Sequence, residues 1–372
     1  MAITEGMSED ATAKSKRRSL RLVPILEPRR DVSDGFRIGV YAVSLLLAAL
    51  LSVALLALSG VPPSDLFREI ATTVFSSPRA LGSVLAQMAP LVVAGLATAI
   101  AFRANFWNIG LEGQMILGAI FATAVAIFDI GPEALRLPLM AMAAALGGMA
   151  WIAGPAMLKS RLGVNEVITT LLLNYVAFNL LLHLLYGGWK DPVSSFPHSE
   201  QYQDFERLPP LGWQNLTWAL PIVGFLSLVL WWVYSASRFG YFLDFLSNNR
   251  DMARAMGLPV VGLSLAAILG SGAIGGLTGF VISAGIEGRM TQDFHVGYLF
   301  NGVLIAFIGR NHPVGVVITA FFMAVLVQLG QSLQVFFGTP FSVVRLTQAL
   351  FIICVAGSEF FLTYKMHWRS AA

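Results

Sequence analysis

The feature that most constrains this chain is a succession of apolar runs of bilayer length, separated by short polar connectors. Runs begin at Ile38, Ala80, Phe106, Leu137, Val164, Thr217, Val260 and Pro313, and a further one extends from about Leu346 to Leu362. A helix needs about 20 apolar residues to cross the hydrocarbon core. Inside that core every backbone polar group has to be paired within the segment, so each run reads as a membrane helix. A tenth run, from about Gly297 to Ile308, is short for a bilayer and is counted because the charges then fall into order.

Composition agrees. Of 372 residues, 56% are hydrophobic and 12% charged, against about 25% charged in a soluble protein. That argues against a water-soluble enzyme. The expected fold is all-α and polytopic, with about ten transmembrane helices, a broken third helix and a cytosolic coupling helix.

The formal net charge of +3 does not point to nucleic acid, because the Lys and Arg lie in short segments between apolar runs. With an even number of crossings and the N-terminus inside, one side collects a basic tail plus Arg103, Lys159, Arg161, Arg238, Arg250, Arg254, Arg310, Lys365 and Arg369. The other keeps Arg68, Arg79, Arg136, Lys190, Arg207, Arg289 and Arg345. The positive-inside bias then places both termini in the cytosol. The division is a tail over residues 1–37, holding Lys14, Lys16, Arg17, Arg18, Arg21, Arg29, Arg30 and Arg37, followed by a membrane domain over 38–366. The tail is too long for the basic region of a cleavable signal peptide. The single cysteine, Cys354, forms no intrachain disulfide and no Cys-based metal site.

Two external segments stand out. Residues 187–215 mix Trp189, Asp191, Pro192, Glu200, Asp204, Glu206, Pro209 and Pro210, and form a surface for something outside. In 62–75, Phe67, Ile70 and Val74 recur at helical spacing opposite Asp65, Arg68 and Glu69, as in an interfacial helix.

Within the spans, RANFWNIGLEGQM (103–115) interrupts the third run with amides, a carboxylate and glycines. Polar groups at membrane depth are costly unless they face protein or a water-filled cavity. Either they touch a solute, or Asn108 and Glu112 satisfy backbone groups at a helix break. Gly147, Gly148 and Gly154 cluster in the fourth run, while Gly272, Gly275, Gly276 and Gly279 pair at four-residue spacing in the seventh, as helices do at close contacts. Between the sixth and seventh runs, 237–259 predicts a short helix ended by Gly257 and Pro259. It is either a surface for a cytosolic motor or an ordinary loop helix. Arg310–His312 reads as a tight turn, with His312 a turn residue and no metal site expected.

No Gly-Lys dipeptide occurs, so the chain lacks a phosphate-binding loop of the G-x-x-x-x-G-K-[ST] type. Energy from ATP would have to come through another chain.

NFWNIGLEGQMILGA from Asn105, GVNEVITTLLLNY from Gly163, ARAMGLPV from Ala253 and GYLFNGVLIAFIGRNHPVG from Gly297 together resemble the inner-membrane permease family of bacterial ABC importers for simple sugars and nucleosides. The resemblance covers most of the chain from about Ala80. The G-V-x-E-V-x-x-T pattern at Gly163–Thr170 is similar to the nucleoside branch. The resemblance implies an alternating-access pore of two related permeases, often different chains. Two cytosolic ATPases that use ATP and Mg drive it, an extracytoplasmic binding protein feeds it, and the permease itself holds no cofactor.

By the same resemblance, Asn248, Asn249, Arg250, Ala253, Arg254, Ala255 and Gly257 form the coupling element, and 187–215 docks the binding protein. The expected path residues are Trp107, Asn108, Glu112, Gln114, Asn174, Phe178 and Asn301, since amides beside aromatic rings suit a nucleoside's hydroxyls and base. A pentose, hexose or branched-chain amino acid is the alternative cargo. An ion-coupled carrier working alone would need more intramembrane carboxylates than Glu112 and Glu359.

Overall fold

The computed structural model describes residues 22–29, 32–75 and 77–370. The basic cluster from Lys14 to Arg21, and Arg30, lie outside the described residues. In chain order the elements are β1 (Leu22–Pro28), α1 (Asp34–Leu58), α2 (Pro63–Phe75), α3 (Pro78–Arg103), α4 (Leu111–Ile127), α5 (Arg136–Leu162), α6 (Glu166–Tyr186), α7 (Ala219–Ala236), α8 (Arg238–Asn248), α9 (Arg250–Ala255), α10 (Val260–Ile282), α11 (Tyr298–Ile308), α12 (Pro313–Phe337), α13 (Phe341–Thr363) and β2 (Tyr364–Ser370).

Among the described residues, eight helices are long and apolar enough to cross a membrane, and α4 and α11 are shorter apolar helices. The chain is thus a multi-pass, essentially all-helical membrane protein. The antiparallel ladder of β1 with β2 is an addition to the all-helical expectation. The chain divides into two compact units, Met1–Ser52 with Ala349–Ala372, and Val53–Gln348. In the first, the Tyr41 hydroxyl donates to the Glu359 carboxylate, so one of the two intramembrane glutamates has a hydrogen-bonding partner.

In the second unit the helix ends follow local chemistry. Ser77 caps α3 ahead of Pro78, Asn165 caps α6, and His312 caps α12 ahead of Pro313. Gly163 and Gly338 close α5 and α12 in left-handed conformations. Arg310 and Asn311 both have positive φ, so the expected turn is present and His312 serves it as the cap.

The centre is α3, buried along nearly its whole length and packed by α10, α11, α12 and α7. Beside it α10 lies against α4 and α5 through glycines. A Cβ on Gly276 would sit 2.0 Å from the Ala144 carbonyl oxygen, and one on Gly279 would sit 2.1 Å from that of Met115. Gly148 and Gly272 abut each other's backbones in the same way. Without side chains the backbones reach contact distance, which is where packing energy between membrane helices comes from. Gly154 departs from the expected cluster: it faces open space.

Three further differences bear on function. The third run starts as a helix at Leu111 rather than Phe106, with the break at 104–110. The segment between α7 and α10 is two helices rather than one, because the Asn249 side chain accepts hydrogen bonds from the Asp251 and Met252 backbone N–H groups and opens a new helix. Gly257 terminates it at φ +76°. The 63–75 segment is helical as expected, although the side chains of Phe67, Ile70 and Val74 lie outside the described residues.

Candidate functional site

The chain breaks after α3 and starts again inside the bundle. Asn108 in the break is fully buried and contacts Ser271, in the middle of α10, at 3.3 Å, while Ser271 donates to the Ala97 carbonyl of α3 at 2.6 Å. The α4 entry is therefore sunk well below the end of α3. A buried helix start leaves backbone N–H groups with no intrahelical partner, and the NIGLEGQ residues satisfy them. The Asn108 Oδ1 accepts from Gly110 N at 3.0 Å. Its amide exchanges two hydrogen bonds with the Gln114 amide, at 3.2 and 2.9 Å. From α6, the Asn174 Oδ1 accepts from Gly113 N at 2.9 Å and its Nδ2 donates to the Ile109 carbonyl at 2.8 Å.

The glycines of the same motif make room for these amides. A Cβ on Gly113 would stand 2.4 Å from the Trp151 Nε1, one on Gly110 2.9 Å from the Thr170 Cβ, and one on Gly275 2.5 Å from the Gln114 Oε1. Gly275 thus links the packing seam of α10 to the polar node.

At one end of this unit the node is joined to α8, which leads into α9. Arg103 pairs with Asp244 at 3.0 Å, and Asn105 Nδ2 donates to the Leu246 carbonyl at 3.1 Å. Lys159 at the end of α5 donates to the Glu166 carboxylate and, at 2.9 Å, to the Asn105 carbonyl. Glu166 also accepts from Trp107 N at 3.3 Å. Leu243, Leu246 and Ala253 are buried, whereas Arg250, Met252, Arg254 and Met256 are exposed. Asp244 and Leu246 lock α8 to the break, and on α9 the exposed Arg250 and Arg254 line a pocket with Asn105, Lys159 and Glu166. His312 sits in the same region, its pKa lowered by desolvation and by the Arg103 charge.

At the other end, 198–208 runs along 284–290, with Ser199 N donating to Met290 O at 3.0 Å, Tyr202 N to Gly288 O at 2.8 Å and Leu208 N to Ala284 O at 2.9 Å. The Tyr202 hydroxyl lies 2.5 Å from Thr123 on α4, and burial pushes its pKa up to about 12. Arg136 at the start of α5 is buried, with Asp129 at 3.0 Å and Glu206 at 3.4 Å. The 187–215 segment is therefore a built cap, not a slack loop. His295 packs on Phe178 and Phe294, and burial lowers its pKa.

Of the expected path residues, Asn108 and Gln114 pair with each other, and Asn174 is buried beside them, bonded to the backbone of the same segment. Trp107 is 55% exposed and stacks at 5.0 Å on Phe102. Glu112 is half-buried and feels the Arg345 charge. Asn301 stands apart, in a separate cavity with Gln87, Gln331, Gln348 and Arg345. Sequence reasoning missed Ser271 and the Arg136–Glu206 pair, which rest on long-range contacts, and the Lys159–Glu166 pair, which is local across the turn from α5 to α6. It also missed Gln331 and Gln348, whose position inside apolar runs was an available signal.

A many-helix bundle with a sunken half-span and a short helix pair between two spans fits a transport permease. Residues 80–356 match the family described as branched-chain amino acid transport system / permease component, and the chain belongs to it. It is the transmembrane subunit of an ABC importer, and ATP hydrolysis belongs to a separate subunit. It is 36% identical over 353 residues to a glucose ABC transporter permease protein of Haloferax volcanii, covering 92% of this chain and 93% of that one. It is 27% identical to a guanosine ABC transporter permease protein of Bacillus subtilis, covering 85% and 92%. It is 23% identical to a nucleoside ABC transporter permease protein of Lactococcus lactis, covering 84% and 89%.

Proposed function

We propose that this permease imports a nucleoside or a simple sugar across the cell membrane by alternating access, paired with a second related permease. The observation that carries the coupling mechanism is the helix pair α8–α9. The exposed residues of α9, Arg250, Met252 and Arg254, are suited to a groove on a cytosolic ATPase, and α8 is bonded to the break that holds Asn108. Movement of the ATPase on binding ATP and Mg would pass through Arg103–Asp244 and Asn105–Leu246 to the α4 entry, shifting the permease between states. Both termini and the α8–α9 end face the cytosol in this reading, as the basic residues favour, and the 187–215 cap receives an extracytoplasmic binding protein. The chain itself needs no cofactor.

The relatives named for glucose, guanosine and nucleosides support a neutral, hydroxyl-bearing cargo. The test is gentle solubilisation of the tagged chain from its native membrane, with and without replacement of 250–257 by a flexible linker. An ATPase and a second permease should copurify with the intact chain, and the ATPase should be lost from the linker variant. A chain that purifies alone and still moves solute in vesicles without ATP would overturn the reading in favour of an ion-coupled carrier.

A further inference from the structure

The polar node and the outer cavity treat their amides in opposite ways. Asn108 and Gln114 bond each other, Asn108 also bonds Ser271 and Gly110 N, and Asn174 bonds the Gly113 and Ile109 backbone, so these amides are occupied within the protein. The cavity bounded by α3, α11, α12 and α13 has a volume of about 680 Å³, with Gln87, Tyr298, Asn301, Gln331, Gln348 and Arg345 on its wall. Gln87 donates to the Tyr298 hydroxyl at 3.3 Å. The side chains of Asn301, Gln331 and Gln348 make no hydrogen bond among the described residues.

Carboxamides left open inside apolar helices are unfavourable against lipid and are retained where water or a polar solute meets them. Each amide offers two donors and a two-lone-pair acceptor, which suits hydroxyls that both give and take hydrogen bonds. The volume falls within the roughly 300–1,000 Å³ of small-molecule sites. The carboxylates Glu287 and Asp293 at its loop end disfavour an anionic cargo.

We infer that this cavity is the outer solute compartment of the permease, and that Gln87, Asn301, Gln331 and Gln348 bind the hydroxyl groups of a neutral nucleoside or sugar. The inference rests on the proposed function and names the site within it. Arg345 lies on the cavity wall.

The experiment uses the assembled transporter in proteoliposomes, with Cys354→Ala to remove the single native thiol. Asn301→Cys, Gln331→Cys and Gln348→Cys are compared with Phe322→Cys, which is 63% exposed on an apolar face of α12. The probe is a charged, membrane-impermeant methanethiosulfonate applied from outside. A cysteine in water reacts as thiolate and one in lipid does not, so the cavity positions should label at least about tenfold faster than Phe322→Cys. Guanosine or glucose delivered during turnover should slow labelling at the cavity positions, and leucine should not.

Cavity positions no faster than Phe322→Cys, or protection by leucine alone or by none of the three, would overturn the inference. ATP-dependent uptake in the Cys354→Ala parent separates the two claims. Uptake that needs ATP, with flat labelling, sinks only the cavity. Uptake that needs no ATP sinks the importer reading, whatever the labelling shows.

Discussion

Replacing Asn108 with Leu removes two hydrogen bonds to Gln114, one to Ser271 and one from Gly110 N at a site with no solvent exposure. Hydrogen bonds between membrane helices average about 0.6 kcal/mol by double-mutant cycle, while a buried polar group left without a partner costs roughly 1–3 kcal/mol. Here the Gln114 amide and the Gly110 N–H are both stranded, and neither can reach solvent. The expected destabilisation is about 2–4 kcal/mol, or roughly a 30- to 1,000-fold change in the unfolding equilibrium. Gln114→Leu removes the same two bonds but leaves Asn108 bonded to Ser271 and to Gly110 N, so its cost should be smaller. The double variant replaces both partners by apolar groups of similar size, which is close to neutral for the pair itself. It should therefore be less destabilised than the two single variants summed, by about 1–3 kcal/mol of coupling. Thermal inactivation of the permease in mild detergent, followed as a rate because membrane proteins unfold irreversibly, is a suitable assay. Strict additivity would refute the claim that the two amides hold each other at the α4 entry.

Other expectations concern separate parts of the bundle. Gly276→Ala forces a Cβ to 2.0 Å from the Ala144 carbonyl, whereas Gly270→Ala in the same helix meets nothing within 4 Å. The first should lose about 1–3 kcal/mol or fail to assemble, and the second should be tolerated; melting temperatures and yields compare them. Lys159→Met cuts α5 from Glu166 and from the Asn105 carbonyl, and should reduce uptake more than ATP hydrolysis in reconstituted vesicles if the break relays the motor. The lowered pKa of His295 means that the unfolded chain binds more protons than the folded one below the usual histidine value of 6.5. Stability is then full above that value and declines as pH falls below it toward the folded pKa. His295→Gln should flatten that decline in melting temperature measured from neutral to acid pH.

Span count and order were legible because hydropathy is a local property that survives without tertiary context. Runs at Ala80 and Val260 became α3 and α10 within a few residues. The split at Asn249 was legible in principle, since an Asn two residues before an Asp is a helix-start signal, but the helix-forming Ala253 and Ala255 masked it. The partners of the NIGLEGQ motif were not legible. Asn108 meets Ser271 across 163 positions and Glu206 meets Arg136 across 70, and one sequence carries no record of which distant polar groups share a depth.

The amides also divide by what surrounds them. At the break, glycines at 110, 113 and 275 leave the space that Thr170, Trp151 and Gln114 fill, so the amides sit in a tightly packed setting. Rigidity there is useful: a displacement at α8 reaches Asn105 and Lys159 through direct hydrogen bonds and meets a node with no slack. In the outer cavity the amides are separated by open volume and make few contacts of their own, so they can exchange water for solute at little cost. On the proposed mechanism, a tight amide cluster that transmits motion and a loose one that meets the cargo are two uses of the same side chains. Swapping their properties is a direct test. Filling the cavity with Asn301→Leu should lower uptake without altering thermal stability, whereas Asn108→Leu should lower stability first.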